Sequence, residues 1–389
     1  MAKIFNLANE VLASIFKHLD GLDLGTVAKT CQRFRNASLI DQIWQHLCER
    51  DYGVSSLDQW PLSSFRELYI IVLHKFGCLL GVWKCNINPY GGLLHITVSP
   101  GRIEAFDCRA PYDPDITSAL RPKLMFAIGV QDGEPVILCY SNWEENPHSG
   151  NLRIRDDVKG KPRQFCIECN SSSKHEIPSD REEGMGVLRR WMKEEYNNET
   201  LLSFQPHMVQ LVLMRYVTMH SLHRQPLQFE LLNLQRPSPN DLVMTPGVFK
   251  GTYSSHGVEL VMVTVDDYKM TGTKITGDPN VPGGQITFDV DLRRPITDDL
   301  EPAEQEQNLG VCRDREFTLP SAYEARYTNY PNVCLARYHG RGQIASHGFM
   351  SPQWTPGHFV LFNDNLFGFR WLELMAFSVY SRATEPYLR

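Results

Sequence analysis

Four side chains between positions 139 and 175 could hold a metal ion: Cys139, His148, Cys169 and His175. They form two pairs, Cys-x8-His and Cys-x5-His, separated by a linker, and thiolate plus imidazole ligation suits tetrahedral zinc. Cys166 stands in a Cys-x-x-Cys with Cys169, so it competes with a histidine for one ligand position. Four protein ligands leave no position open for water, and the expected role is structural, with one zinc per chain. As a nucleophile and base, Cys169 and His175 are a poor pair. They lie in a polar stretch with no oxyanion-hole signature and no third orienting group. There is no Walker-type glycine loop and no His-Glu-x-x-His, so catalysis is not expected.

A second constellation surrounds the turn Gly277-Asp278-Pro279-Asn280. Tyr253, His256, Lys274, Thr276, Asp278 and Asn280 concentrate polar chemistry near glycines, and Trp371 could supply an apolar wall. A chain terminus would suit such a pocket. A terminal carboxylate would pair with Lys274 or protonated His256, whereas Asp278 would repel it and accept hydrogen bonds from an uncharged carboxamide. The competing reading is a turn built for backbone reasons alone.

The elements that must position these groups are helical first and then β. Leu7, Val11, Leu12, Ile15, Phe16 and Leu19 share one helical face, with Asn6 as N-cap. Leu24, Val27, Cys31 and Phe34 form the stripe of a second helix capped by Asp23, and Ile40, Ile43, Trp44, Leu47 and Cys48 that of a third. So small a domain cannot bury all these apolar residues internally, and some must face a partner. A linker helix follows at 61–76, capped by Ser63 or Ser64. Beyond it, Gly81-Val82-Trp83-Lys84 opens a run of strand signals and is echoed by Gly247-Val248-Phe249-Lys250, which reads as two related β modules. Helical stretches around Val187 to Tyr196 and His207 to Tyr216 separate them. Pro237 to Asp241 reads as a boundary turn, and Asp298, Asp299, Glu301, Glu304 and Glu306 read as a solvated loop.

Composition narrows the function. The chain has 389 residues, 42% of them hydrophobic, enough for two or three domains. A net charge of -6 argues against a nucleic-acid binder, and no run is long enough to span a bilayer. No signal-peptide pattern is seen at the N-terminus, so the expected location is cytoplasmic and nuclear, where ten scattered cysteines serve as core thiols or metal ligands.

The first fifty residues resemble the F-box. Leu7 to Phe16, Asp23-Leu24, Val27 to Phe34 and Trp44 match the family pattern in order and spacing, with Ala8 where the family usually has proline. The resemblance implies docking onto the Skp adaptor and cullin scaffold of a ubiquitin ligase, through Leu7, Leu12, Ile15, Phe16, Leu24, Val27, Cys31, Phe34 and Trp44. Further along, Pro89 to Leu93, Gly251 to Gly257, Gly272 to Asn280, His347 to Phe349 and Trp371 to Leu374 are similar to a family of F-box substrate receptors. That likeness implies a receptor presenting protein substrates, D-type cyclins among them, with the substrate's C-terminal tail held in the second β module, and a zinc site on the four Cys/His positions.

The expected fold is α+β: a three-helix F-box at 1–53, a linker helix at 54–78, a β-barrel-like module with a zinc loop and a helical segment at 79–235, and a second such module at 236–389. The alternative is a lipocalin-like small-molecule carrier with a helical interaction module, suggested by Gly81-Val82-Trp83.

Overall fold

The computed structural model describes residue 4 and residues 7–112, 115–140, 147–156, 162–170, 175–222, 226–234, 244–253, 256–296, 315–325 and 327–388. The Asn6 cap, the turn at 237–241, the acidic run at 298–306 and the boundary at 235/236 lie outside these residues. Two compact units are present, one made of residues 1–81, 95–106 and 124–174, the other of 82–94, 107–123 and 175–389.

Among the described residues the first fifty-two carry four helices where three were expected: α1 (Asn9–Phe16), α2 (Gly21–Val27), α3 (Gln32–Ser38) and α4 (Asp41–Tyr52). The stripe from Leu24 to Phe34 is broken at Cys31, whose backbone is extended (φ -156°, ψ 162°) and whose Sγ accepts from Phe34 N at 3.5 Å. Cys31 therefore caps α3. Asp20, not Asp23, caps α2, accepting from Asp23 N at 2.7 Å, while Ala8 precedes α1 with no side-chain cap. Gly53, at φ 72°, ends α4 in the left-handed conformation that glycine adopts without strain. The linker helix is a composite of α5 (Phe65–Leu68), a π-helical turn (Tyr69–Leu73) and α6 (His74–Phe76), with Ser64 Oγ accepting from Glu67 N at 3.2 Å.

The strands Gly81–Cys85 (β1), Leu93–Ser99 (β2), Arg102–Arg109 (β3), Arg121–Gln131 (β4), Glu134–Cys139 (β5), His148–Asp156 (β6), Pro162–Cys169 (β7) and Leu227–Leu231 (β8) close a barrel in sequence order. Two helices, α7 (Arg181–Tyr196) and α8 (Pro206–Leu222), intervene before β8. Closure is made by β8 against β1, with Trp83 opposite Leu231.

A second ring follows: Gly247–Thr252 (β9), Val258–Asp266 (β10), Lys269–Lys274 (β11), Ile286–Pro295 (β12), then, past the short strands Arg315–Glu316 (β13), Glu324–Ala325 (β14) and Val333–Cys334 (β15), Ala336–Ser346 (β16), Met350–Asn363 (β17), Leu366–Trp371 (β18) and Ala376–Arg382 (β19). The long strands pair in the order β9, β10, β11, β12, β16, β17, β18, β19, and β19 returns to β9 through Tyr380 opposite Gly251. Alternation fills it. Phe367, Phe369 and Trp371, spaced by two along β18, are all buried, and Phe367 stacks on Tyr380 at 4.5 Å. Each such ring contributes on the order of 2–3 kcal/mol by leaving water. The repeated Gly-Val-aromatic-Lys motif begins the first strand of each ring, with Trp83 and Phe249 fully buried.

Candidate functional site

The Cys/His positions come together at the ends of three strands. Cys139, last in β5, pairs directly with His148, first in β6, and Cys169, last in β7, lies opposite Gly150 of β6. With His175 just beyond, the four donor atoms all lie within 4.8 Å of one another. Cys166 is not among them. An odd number of positions separates it from Cys169 along β7, and side chains alternate faces along a strand, so it points away. A hydrogen bond with Cys139, then burial, raises the Cys169 thiol well above its ordinary value. Two facing thiols suppress each other's ionisation, and a cation placed between them would favour both thiolates. The donor set thus fits a metal ion and runs against a nucleophilic Cys169, whose thiol would have to ionise easily.

The residues expected around the 277–280 turn also converge. Tyr253, His256, Lys274, Thr276, Asp278, Asn280 and Trp371 all line one cavity of about 1270 Å³. The turn is held by Asp278, whose Oδ1 accepts from Asn280 N at 2.6 Å and Val281 N at 3.0 Å. Gly277 is required there, because a Cβ would stand 2.3 Å from Gly283 N. Lys274 Nζ donates to Asp278 Oδ2 at 2.6 Å, and Glu259 Oε2 is also 2.6 Å away. The same ammonium lies 4.2 Å above the Tyr253 ring. His256 Nε2 is 3.8 Å from Asp278 Oδ1, and Asn280 Nδ2 donates to Ala345 O at 2.9 Å. Thr276 Oγ1 accepts from Leu260 N, and Trp371 Nε1 donates to Ser378 Oγ at 3.1 Å.

The charges inside this cluster are unequal. Burial alone would raise Asp278, but Lys274 and His256 outweigh it and hold the carboxyl at about 2. Burial raises Glu259 well above its ordinary value, against the pull of Lys274. Burial would lower Lys274, yet its two carboxyl neighbours keep it charged. Lys274 is only 2% exposed and engaged on both sides, which differs from its expected role as receptor for a terminal carboxylate.

Sequence reasoning missed Glu259. Its signal was a single acid inside Val258-Glu259-Leu260-Val261-Met262-Val263, since a charge in such a run is either a solvent-facing residue or a buried partner. It also missed Tyr90, Arg109, Glu195 and Arg215, which line the same cavity from distant parts of the chain.

In the helical domain, Leu12, Phe16, Leu24 and Trp44 are buried within their own module. Trp44 Nε1 donates to Ser38 O at 2.7 Å, and its ring meets Tyr69 edge-on at 5.2 Å. These four pack the interior of the helical domain in the isolated chain. Ile15 is exposed as expected, and Leu7, Val27, Cys31 and Phe34 are half-buried. Val11, Leu22 and Leu39 are exposed apolar residues that were not assigned to the contact face, Leu22 at 68%.

Residues 6–50 match the F-box-like family, and residues 230–386 match the family described as Cyclin D1 binding domain. F-box only protein 31 of Rattus norvegicus is 33% identical over 442 aligned residues, covering 99% of this chain and 85% of the relative. F-box only protein 31 of Homo sapiens is 31% identical over 460, covering 99% and 84%, and F-box only protein 31-A of Xenopus laevis is 32% identical over 447.

Proposed function

The chain belongs to the F-box only protein 31 family, and from that premise we propose that it is the substrate-recognition subunit of a Skp-cullin-F-box ubiquitin ligase, with D-type cyclins among its substrates. One observation carries this reading: an F-box at 6–50 and a cyclin-D1-binding match at 230–386 occur in one chain, and the second encloses most of the polar wall of the cavity. Its work is to hold two proteins. The helices take the adaptor, the second ring takes the substrate, and bond formation is left to the other subunits. The cytoplasm and nucleus are the compartments proposed for it.

The ligand of the cavity is a substrate's C-terminal tail. The engagement of Lys274 by Glu259 and Asp278 supports a neutral end group, because that ammonium is already answered from two sides and His256 faces Asp278. A carboxamide end would instead donate toward the Asp278 side. Zinc is the metal proposed for Cys139, His148, Cys169 and His175, on the softness of the donors and their number. The lipocalin-like alternative keeps its barrel but has no account of the F-box match.

Two arms test the proposal. Val11→Asp with Ile15→Asp, both exposed, should abolish co-elution with the adaptor while the melting temperature holds; unchanged co-elution would refute the docking face. Matched tail peptides ending in amide or acid should be titrated against the complex, with the amide form binding tighter. Asp278→Asn should narrow that preference, since a charged hydrogen bond is worth about 1.5–3 kcal/mol. Equal affinity for both peptides would leave the turn a purely structural role.

A further inference from the structure

The cavity has a second pole. Along the wall supplied by the end of β3, the start of β4 and helices α7 and α8, three guanidiniums, Arg109, Arg121 and Arg215, meet two carboxylates, Asp107 and Glu195. Arg109 sits 2.9 Å from Asp107 and 2.5 Å from Glu195. Glu195 must be shared, because Arg215 reaches its other oxygen at 3.4 Å. Arg121 spends its donors on neutral oxygens, Ala110 O at 2.9 Å and the last carbonyls of α7, Glu194 O at 2.5 Å and Glu195 O at 3.3 Å. Glu194 is more exposed and meets Lys123. The wall therefore carries a net positive charge.

Arg215 is the member best placed to meet a ligand. Its side chain keeps 36% of its surface open while Glu195 keeps 9%, so the cation and not its partner faces the cavity. Its Nε is buried without a hydrogen-bond partner among the described residues. The guanidinium stands 5.4 Å over the Tyr90 ring, and the Tyr90 hydroxyl, raised chiefly by burial, is influenced by both Arg215 and Asp278. Tyr90 thus links the two poles, and Tyr90 O accepts from Gly277 N at 2.9 Å.

We propose that Arg215 forms an anion subsite in the cavity, so that the tails preferred are those carrying an acidic side chain upstream of the terminal residue. This rests on the tail-binding reading above and adds the substrate class to it. The planar fork of Arg215 suits a carboxylate, which would meet its open side while Tyr196 keeps its hydrogen bond to the guanidinium and Glu195 stays with Arg109. A neutral tail would leave the excess positive charge unanswered.

The test uses synthetic amide-ended peptides of one length, neutral except for a single Asp walked through the upstream positions, with Asn peptides as controls. They are titrated against the full chain in complex with its adaptor. At one position the Asp peptide should bind about tenfold tighter than its Asn control, and that preference should fall with added salt. Arg215→Gln should reduce the ratio to about one without changing the Asn peptide's affinity, and Arg215→Lys should keep part of it, for a charge without the fork. Arg341→Gln, on a surface arginine outside the cavity lining, should change nothing. If Arg215→Gln fails to fold, the salt dependence of wild type decides. Binding of all peptides with no Asp preference, or a preference that survives Arg215→Gln, overturns the subsite alone. Binding of none of them overturns the tail reading as well.

Discussion

The Cys139–His148–Cys169–His175 set, half of it buried, and the fully buried Lys274–Glu259–Asp278 set both gather polar side chains near strand ends, and they differ in where a cation would come from. The first gathers four donor atoms within 4.8 Å, with both histidines and both thiols suited to an ion supplied from solution. The second brings its own cation in Lys274, placed 2.6 Å from each of two carboxyl groups. A lysine on β11 does for the second ring what a metal would do for the first. An ion held by the first arrangement would be open to a chelator; the second is emptied only by mutation.

The largest effect should come from taking the external cation away. Cys139→Ser should release the metal and destabilise the first barrel, because binding energy at a closed site is folding energy, on the order of 10 kcal/mol in small zinc domains and a fraction of that here. Metal analysis beside thermal melting checks it. One zinc per chain in wild type, lost together with stability in the variant, is the expected outcome; equal melting with and without metal would mean that the first barrel needs no cation.

Removing the internal cation should come next. Lys274→Met leaves Asp278 and Glu259 buried together without their counter-charge, which costs about 3–5 kcal/mol when one partner of a buried pair is deleted. Chelator should leave this variant's deficit unchanged. A denaturant midpoint within error of wild type would show that Lys274 is dispensable and the parallel false.

The smallest effect is one of pH. Asp278 has a depressed folded value, about 2, so its contribution to stability is present above the ordinary carboxylate range and is lost as pH falls toward 2. Glu259 has a raised value, so its contribution is present below its ordinary value of 4.5 and is lost as pH rises above it. Wild-type stability should rise between about pH 2 and 4 on the first account and decline above pH 4.5 on the second. Glu259→Gln should keep the rise and lose the decline. Superimposable pH profiles of the two proteins would mean that Glu259 does not titrate differently on folding.

The two clusters were also unequally legible. Cys139, His148, Cys169 and His175 are uncommon residue types whose chemistry names itself, so their spacing was informative, and strand alternation then removed Cys166 as a replacement for a histidine. Lys274 and Asp278 were legible because a turn with glycines held them close in sequence. Glu259 was not, since one acid in an apolar run does not say whether it faces water or a buried lysine. Arg109, Glu195 and Arg215 meet only through the fold, and no local pattern connects them. In the helical domain, periodicity found the apolar stripes but could not tell the inner face from the outer: Leu12 and Ile15 lie on one stripe, yet the first is buried and the second exposed. The break at Cys31 was hidden because the apolar spacing runs straight through it.

Strand β19 closes the second ring against β9 and also supplies Ser378 to the cavity wall. It lies at the far end of the chain from α1–α4, so a ribosome delivers the handle of this receptor first and finishes its grip last. Any message cut short before Ala376 would encode a protein with every residue of the adaptor-facing helices and no closed cavity. Such a product would keep the residues that reach the adaptor and lose the wall that holds a substrate.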